Sequence, residues 1–144
     1  MNLSKNLAAG VAAGNVRTGD CFSRRCPSRA ILAHVTGRWG SLVLAAVREA
    51  GVLRFSELRV RIDGISEKML AQTLRDLERD GLLLRTSRPV VPPYVDYRLT
   101  DLGLGVAEHV DGLVQWIETN VGGLVNAQNA HDAAAGRTES GSEP

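Results

Sequence analysis

Residues 54–100 read RFSELRVRIDGISEKMLAQTLRDLERDGLLLRTSRPVVPPYVDYRLT. This stretch predicts two helices separated by a tight turn, then two strands around a proline-rich tip. Ser56 caps a short helix through Arg61, with Leu58 and Ile62 facing inward. Asp63-Gly64 is the turn. Ser66 begins the next helix, which ends at Gly81. Along it Ile65, Met69, Leu70, Leu74 and Leu77 recur at i, i+4, i+5, i+9 and i+12, one apolar face of a 3.6-residue period. Lys68, Gln72, Arg75 and Arg79 lie opposite. One strand begins over Leu82–Arg85, and Val95–Leu99 is another. Between them stand Pro89, Pro92 and Pro93. Proline has no N–H for a ladder, so the composition allows a two-stranded edge hairpin with a stiff tip.

Outward from this stretch, Arg54-Phe55 reads as a minimal strand. Upstream, Ser28 caps a helix through His34 that Gly37 ends. Trp39–Ala50 is a second helix, with Leu42, Val43, Ala46 and Val47 at helical spacing and Gly51 as its stop. Downstream, Thr100 caps a last helix from Asp101 to about Asn120. Val106, Val110, Leu113, Ile117 and Val121 form a stripe on it, widened by Leu102, Leu104, Val114 and Trp116. That width exceeds what packing on one small domain needs and points to a dimer contact; the plainer alternative is burial against its own domain. Gly103, Gly105 and Gly112 lower this helix's intrinsic stability. The expected fold is mainly α with a small β-hairpin: a winged helix-turn-helix whose N- and C-terminal helices form a dimer contact. Residues 1–22 read as a flexible basic arm, 23–122 as the winged-helix domain, and 123–144 as a disordered tail.

Composition narrows the class. Apolar residues make up 44%, enough for a core, but aromatics only 4%, so aliphatic side chains must build it. No apolar run approaches the roughly 18–20 residues of a bilayer span. The first stretch is too short and glycine-broken for a signal peptide, and two cysteines make no disulfide framework, so a cytoplasmic, nucleoid-associated protein is expected. The net charge of +1 says little, but its distribution says more. Residues 1–40 carry Lys5, Arg17, Arg24, Arg25, Arg29 and Arg38 against Asp20 alone; from residue 99 onward seven acids face Arg137. Solvation of both ends is the plainer account.

A helix presented after a turn can enter a DNA major groove, and a hairpin beside it can reach the backbone. Ser66, Lys68, Gln72, Thr73 and Arg75 are the candidate readers; Arg54, Arg59 and Arg88 are candidate backbone contacts. The competing reading is a polar helix face that is merely solvated, in a module that binds protein. No phosphate loop, dinucleotide fingerprint, Ser/His/Asp set or paired carboxylates stand out, so no enzyme is expected. Cys21, Cys26 and His34 match no common zinc spacing, so neither a metal nor a cofactor is expected.

In order, Cys26-Pro27, Gly37-Arg38-Trp39, Arg54-Phe55-Ser56-Glu57-Leu58, Gly64-Ile65-Ser66-Glu67-Lys68-Met69-Leu70, Leu74–Leu82, Val91-Pro92-Pro93, Asp96–Thr100 and Leu102-Gly103 resemble the HxlR-type bacterial transcription regulators over roughly residues 26–120. The resemblance implies a winged-helix homodimer that binds an inverted-repeat promoter operator in double-stranded DNA, most simply as a repressor. The apolar stripe places the dimer contact at Val106, Val110, Leu113, Trp116 and Ile117. The resemblance also implies an oxidant or electrophile sensor at Cys26, with Cys21 as a resolving thiol; Arg24, Arg25 and Arg29 would favour the thiolate. A small-molecule effector without thiol sensing is the alternative. Two departures stand out: Arg38 replaces a family lysine, and Tyr94 replaces a wing residue that is often basic.

Overall fold

Short-range signals along residues 51–82 set up the helix-turn-helix. The computed structural model describes residues 17–140. Its elements are α1 (Pro27–Thr36), α2 (Gly40–Ala50), β1 (Val52–Arg54), α3 (Phe55–Arg61), α4 (Glu67–Arg79), β2 (Leu83–Arg88), β3 (Tyr94–Leu99) and α5 (Asp101–Ser140). The chain divides after Ala107 into two units, the second beginning at Glu108.

Within the first unit, α3 closes where the Ile62 N–H donates to the Leu58 carbonyl. Gly64 takes the left-handed backbone of the turn at φ 84°. Ser66 then caps α4, its hydroxyl accepting from the Met69 N–H at 3.1 Å. The far end of α4 is a Schellman closure: the Leu82 N–H reaches the Leu77 carbonyl and the Gly81 N–H the Glu78 carbonyl, with Gly81 at φ 78°. Thr100 caps α5 by accepting from the Gly103 N–H at 3.0 Å, while its own hydroxyl donates to the Gly81 carbonyl. Thr100 therefore ties the start of α5 to the C-terminal end of α4.

The core is aliphatic. Val43, Leu44 and Val47 of α2, Leu58 of α3, and Leu70, Leu74 and Leu77 of α4 are fully or almost fully buried. Ile62, Ile65, Leu82, Leu83 and Tyr97 close around them. Each buried Val or Leu contributes about 1.5–3 kcal/mol relative to exposure, which is how a chain poor in aromatics holds this fold.

Several expectations need correction. The sheet has three antiparallel strands in the order β1-β3-β2, and the minimal strand expected at Arg54-Phe55 lies instead at Val52–Arg54. Three-residue β1 is too short to show alternation, and its pairing with β3 is long-range. Phe55 and Ser56 belong to α3, whose N-cap is Arg54; the Glu57 carboxylate accepts the Arg54 N–H at 2.8 Å. Met69 is exposed rather than part of the core face, because Leu70, Leu74 and Leu77 take the inward direction and Met69 lies a quarter-turn away. Leu42 is likewise partly exposed, and Leu44 takes the inward position. The last helix does not stop near Asn120 or give way to a disordered tail at 123: α5 runs to Ser140. Its Ala-rich end, Ala127 to Ala135, lacks proline and has high helix propensity. Of the expected flexible arm, residues 1–16 lie outside the described residues. Residues 20–26 turn back on themselves, with Ser23 N–H donating to the Asp20 carbonyl and Cys26 N–H to the Ser23 carbonyl.

Among the described residues, no single helix is long and apolar enough to cross a membrane, and no cluster of three His, Cys, Asp or Glu side chains is placed to hold a metal ion.

Candidate nucleic-acid interface and thiol site

The outer face of α4 starts at its capped N-terminus. Ser66, Lys68, Gln72 and Arg75 are exposed there, and Thr73 is half-buried. They are not free of one another. Arg75 donates to the Gln72 side-chain Oε1 at 3.1 Å, and the Gln72 side-chain Nε2 donates to the Asp76 carboxylate at 3.0 Å. The Thr73 hydroxyl donates to the Met69 carbonyl at 2.7 Å. The Gln72 and Arg75 donors sit in solvent, so exchanging their partners for base edges costs little.

The flanking arginines fall into two groups. Arg59 is held by Glu67 at 2.9 Å, an exposed ion pair that competes with a phosphate. Arg54 and Arg88 instead both lie over the Tyr94 ring, at 4.6 and 5.1 Å from its centroid. In the sequence alone Tyr94 reads as a loss at the wing; only the register of β3 against both neighbours brings the three side chains together. Arg38, stacked over Trp39 at 4.9 Å, is a further cation outside the candidates named from sequence. It borders a hollow of about 490 Å³ that His34, Met69 and Thr73 also line, so it stands beside the first half of α4.

α1 is anchored to α4. The His34 imidazole N–H donates to the Asp80 carboxylate at 2.6 Å, with Asp80 almost buried at 6% exposure. One end of α1 therefore contacts the C-terminal end of α4. The other end is Cys26, the N-cap of α1, followed by Pro27.

The Cys26 sulfur accepts from the Ser28 hydroxyl at 3.0 Å and from the Asp20 N–H at 3.3 Å. Hydrogen bonds from the Ser28 hydroxyl foremost, then from the Asp20 and Ser28 backbones, hold the thiol below its usual range, opposed by burial and by the Asp20 charge. Arg24, Arg25 and Arg29 are not the cause: all three are exposed, and Arg29 donates to the Phe22 carbonyl at 3.4 Å. Gly19 packs over the site; a Cβ there would lie 3.2 Å from Ser28 Cβ and 3.7 Å from the sulfur. Cys21 and Cys26 form no disulfide, and Cys21 is exposed.

The five expected dimer residues separate. Val106 is half-buried and Val110 is 6% exposed. In the second unit Leu113, Trp116 and Ile117 are exposed at 53%, 56% and 44%. The exposed stripe continues through Val121, Leu124 and Val125, past the helix end expected near Asn120.

A profile of HxlR-like helix-turn-helix proteins matches residues 34–123. The chain is 56% identical over 106 residues to the HTH-type transcriptional regulator YtfH of Escherichia coli, covering 74% of this chain and 83% of that one. The solved structure of the transcriptional regulator ytfH from Salmonella typhimurium aligns with a TM-score of 0.73 at 51% identity, over 77% of this chain and 98% of that one. The redox regulator HypR, in its reduced form, aligns with a TM-score of 0.62 at 32% identity, over 69% and 98% of the two chains.

Proposed function

Since the chain belongs to the HxlR-like helix-turn-helix family, and is a transcriptional regulator of the winged-helix type, we propose that it represses transcription as a homodimer on an inverted-repeat operator, with Cys26 as its signal input. The observation that carries the reading is the exposed face of α4, set between the Gly64 turn and the Arg54/Arg88 wing. A second copy covers the Leu113–Val125 stripe. A helical stripe that exposes these six large apolar residues to water lacks the packing that normally keeps a helix folded. To read an inverted repeat, the paired chains must hold their α4 helices about one DNA turn, ~34 Å, apart.

In this reading Ser66 and Lys68 meet phosphate or base edges at the start of α4. Gln72 and Arg75 face bases: glutamine matches adenine and arginine matches guanine by two-point hydrogen bonding. Gln72→Ala and Arg75→Ala are each expected to cost about 1–3 kcal/mol of operator affinity and to relax specificity at one base pair. Binding titrations against a panel of single-base operator variants check this. Full affinity and specificity in both variants, with unchanged helicity, would remove α4 as the reader.

The thiol reading rests on the two hydrogen bonds at the Cys26 sulfur, on α1 linking that sulfur to Asp80 of α4, and on a relative described as a redox regulator. Modifying the sulfur removes its role as acceptor from Ser28 and Asp20 and disturbs the start of α1. A coupling of about 1–3 kcal/mol to DNA affinity is enough for a switch. Cys26→Ser is expected to abolish the response of operator affinity to hydrogen peroxide, diamide or methylglyoxal, while Cys21→Ser weakens only disulfide formation. Ser28→Ala is expected to slow alkylation of Cys26 at neutral pH, because the thiolate loses its strongest donor. A wild-type protein indifferent to all three reagents rules thiol sensing out. The signal is then better sought as a ligand in the hollow of about 620 Å³ lined by Ala46, Ala50, Leu53 and Val60.

A further inference from the structure

We propose that Tyr94 is the positioning residue of a two-arginine clamp on the wing, whose ligand is a phosphodiester of the DNA backbone; this rests on the DNA-binding reading above. The strand register explains how the clamp forms. Arg88 on β2 lies directly opposite Tyr94 on β3, and Arg54 on β1 lies opposite Asp96, two residues farther along β3. Opposite and diagonal partners on one face of a sheet lie about 5–8 Å apart, within reach of an arginine. Side chains two residues apart on a strand share a face, so Tyr94 and Asp96 bring Arg54 and Arg88 to the same side from opposite flanks.

Two guanidiniums repel and do not gather unaided. The negative face of the Tyr94 ring, 4.6 and 5.1 Å from their centres, holds both. Asp96 adds a second negative element on that face. It is 2% exposed, its Oδ1 has no hydrogen-bond partner among the described residues, and Arg98 stands 3.9 Å from it. Among those residues Arg54 and Arg88 have no carboxylate partner, whereas Arg59 and Arg61 are occupied by Glu67 and Glu49. The two clamp arginines thus keep their outward N–H edges for a ligand. Stacking removes rotamer freedom before binding, so less is lost when a phosphate arrives. Arg54 is also the N-cap of α3, which joins the clamp directly to the helix-turn-helix.

The test measures fluorescence anisotropy of the full chain with a labelled mixed-sequence DNA duplex, from about 50 to 200 mM KCl. Arg54→Ala and Arg88→Ala are each expected to flatten the slope of log affinity against log salt by about 0.9 for each phosphate that is no longer neutralised. Tyr94→Phe keeps the ring and is expected to bind like wild type. Tyr94→Leu removes it and is expected to bind roughly fivefold or more weakly. Because both arginines grip one phosphate, Arg54→Ala/Arg88→Ala is expected to lose less than the product of the single losses; this cycle does not depend on how a Tyr94 variant folds. Wild-type affinity in Tyr94→Leu overturns the clamp, as does equal weakness of Tyr94→Phe and Tyr94→Leu, or independent losses at the two arginines. A wild-type chain that ignores the duplex overturns the DNA-binding reading itself, and the clamp with it.

Discussion

Ile117→Asp is expected to yield a monomer that binds its operator roughly 10²–10⁴-fold more weakly than wild type, because two half-sites no longer bind as one tethered event. Ile117 stands at 44% exposure in the middle of a stripe that runs from Leu113 through Trp116, Val121 and Leu124 to Val125. A carboxylate there would have to be desolvated against the apolar face of the second copy, without a partner. The substitution leaves the helix-turn-helix untouched, so each monomer keeps its α4 face and its non-specific affinity for DNA. Sedimentation velocity and operator titration measure the two effects, and circular dichroism checks that helix content survives. A variant that remains dimeric, or a wild-type chain that sediments as a monomer at micromolar concentration, would place the stripe outside the dimer contact. Val110→Asp is not an equivalent probe. Val110 is only 6% exposed, against 44% for Ile117.

Gly103→Ala is expected to destabilise the first unit by about 3 kcal/mol, lowering its melting temperature by roughly 10–20 °C. A Cβ at this position would run into the Leu82 carbonyl oxygen and lie 3.2 Å from Leu99 Cδ2. The Leu82 backbone cannot retreat easily. Its carbonyl accepts from the Thr100 N–H at 3.1 Å, and its own N–H closes α4 on Leu77 at 2.9 Å. Two residues along the same helix, Gly105 has nothing within 4 Å of such a Cβ. Gly105→Ala is therefore expected to raise stability by about 0.5–1 kcal/mol through helix propensity alone. Thermal melts of the two variants should move in opposite directions. A Gly103→Ala protein that melts at or above wild type would show that α5 does not need this close approach.

The same contrast separates what residues dictate locally from what the fold adds. The turn at Gly64, the cap at Ser66, the stop at Gly81 and the Thr100 cap of α5 depend on interactions within a few residues. Each can be read directly, because a left-handed glycine or a hydroxyl three residues ahead of an N–H is a local event. The prolines at 89, 92 and 93 fall outside the β2–β3 ladder for the same kind of reason. The inward face of α4 is also legible from its period, except at Met69, an exposed apolar side chain that has the look of core.

Other features depend on residues far apart in the chain. β1 shows in the sequence only as a minimal strand at Arg54-Phe55; its place at Val52–Arg54 is set by pairing with β3. Tyr94 in isolation looks like a missing cation, and becomes the support of two once register places Arg54 and Arg88 over its ring. In the bare sequence Cys26 owes its character to neighbouring arginines. Its donors are instead Ser28 and the Asp20 backbone, brought to it by a turn in the preceding segment. Even Gly103, which reads as a weakness in a helix, is required where two backbones meet. Local energies choose the helices, turns and caps of this chain. Which side chains become neighbours depends on the packing that brings distant segments together, and no periodicity within a single segment encodes it.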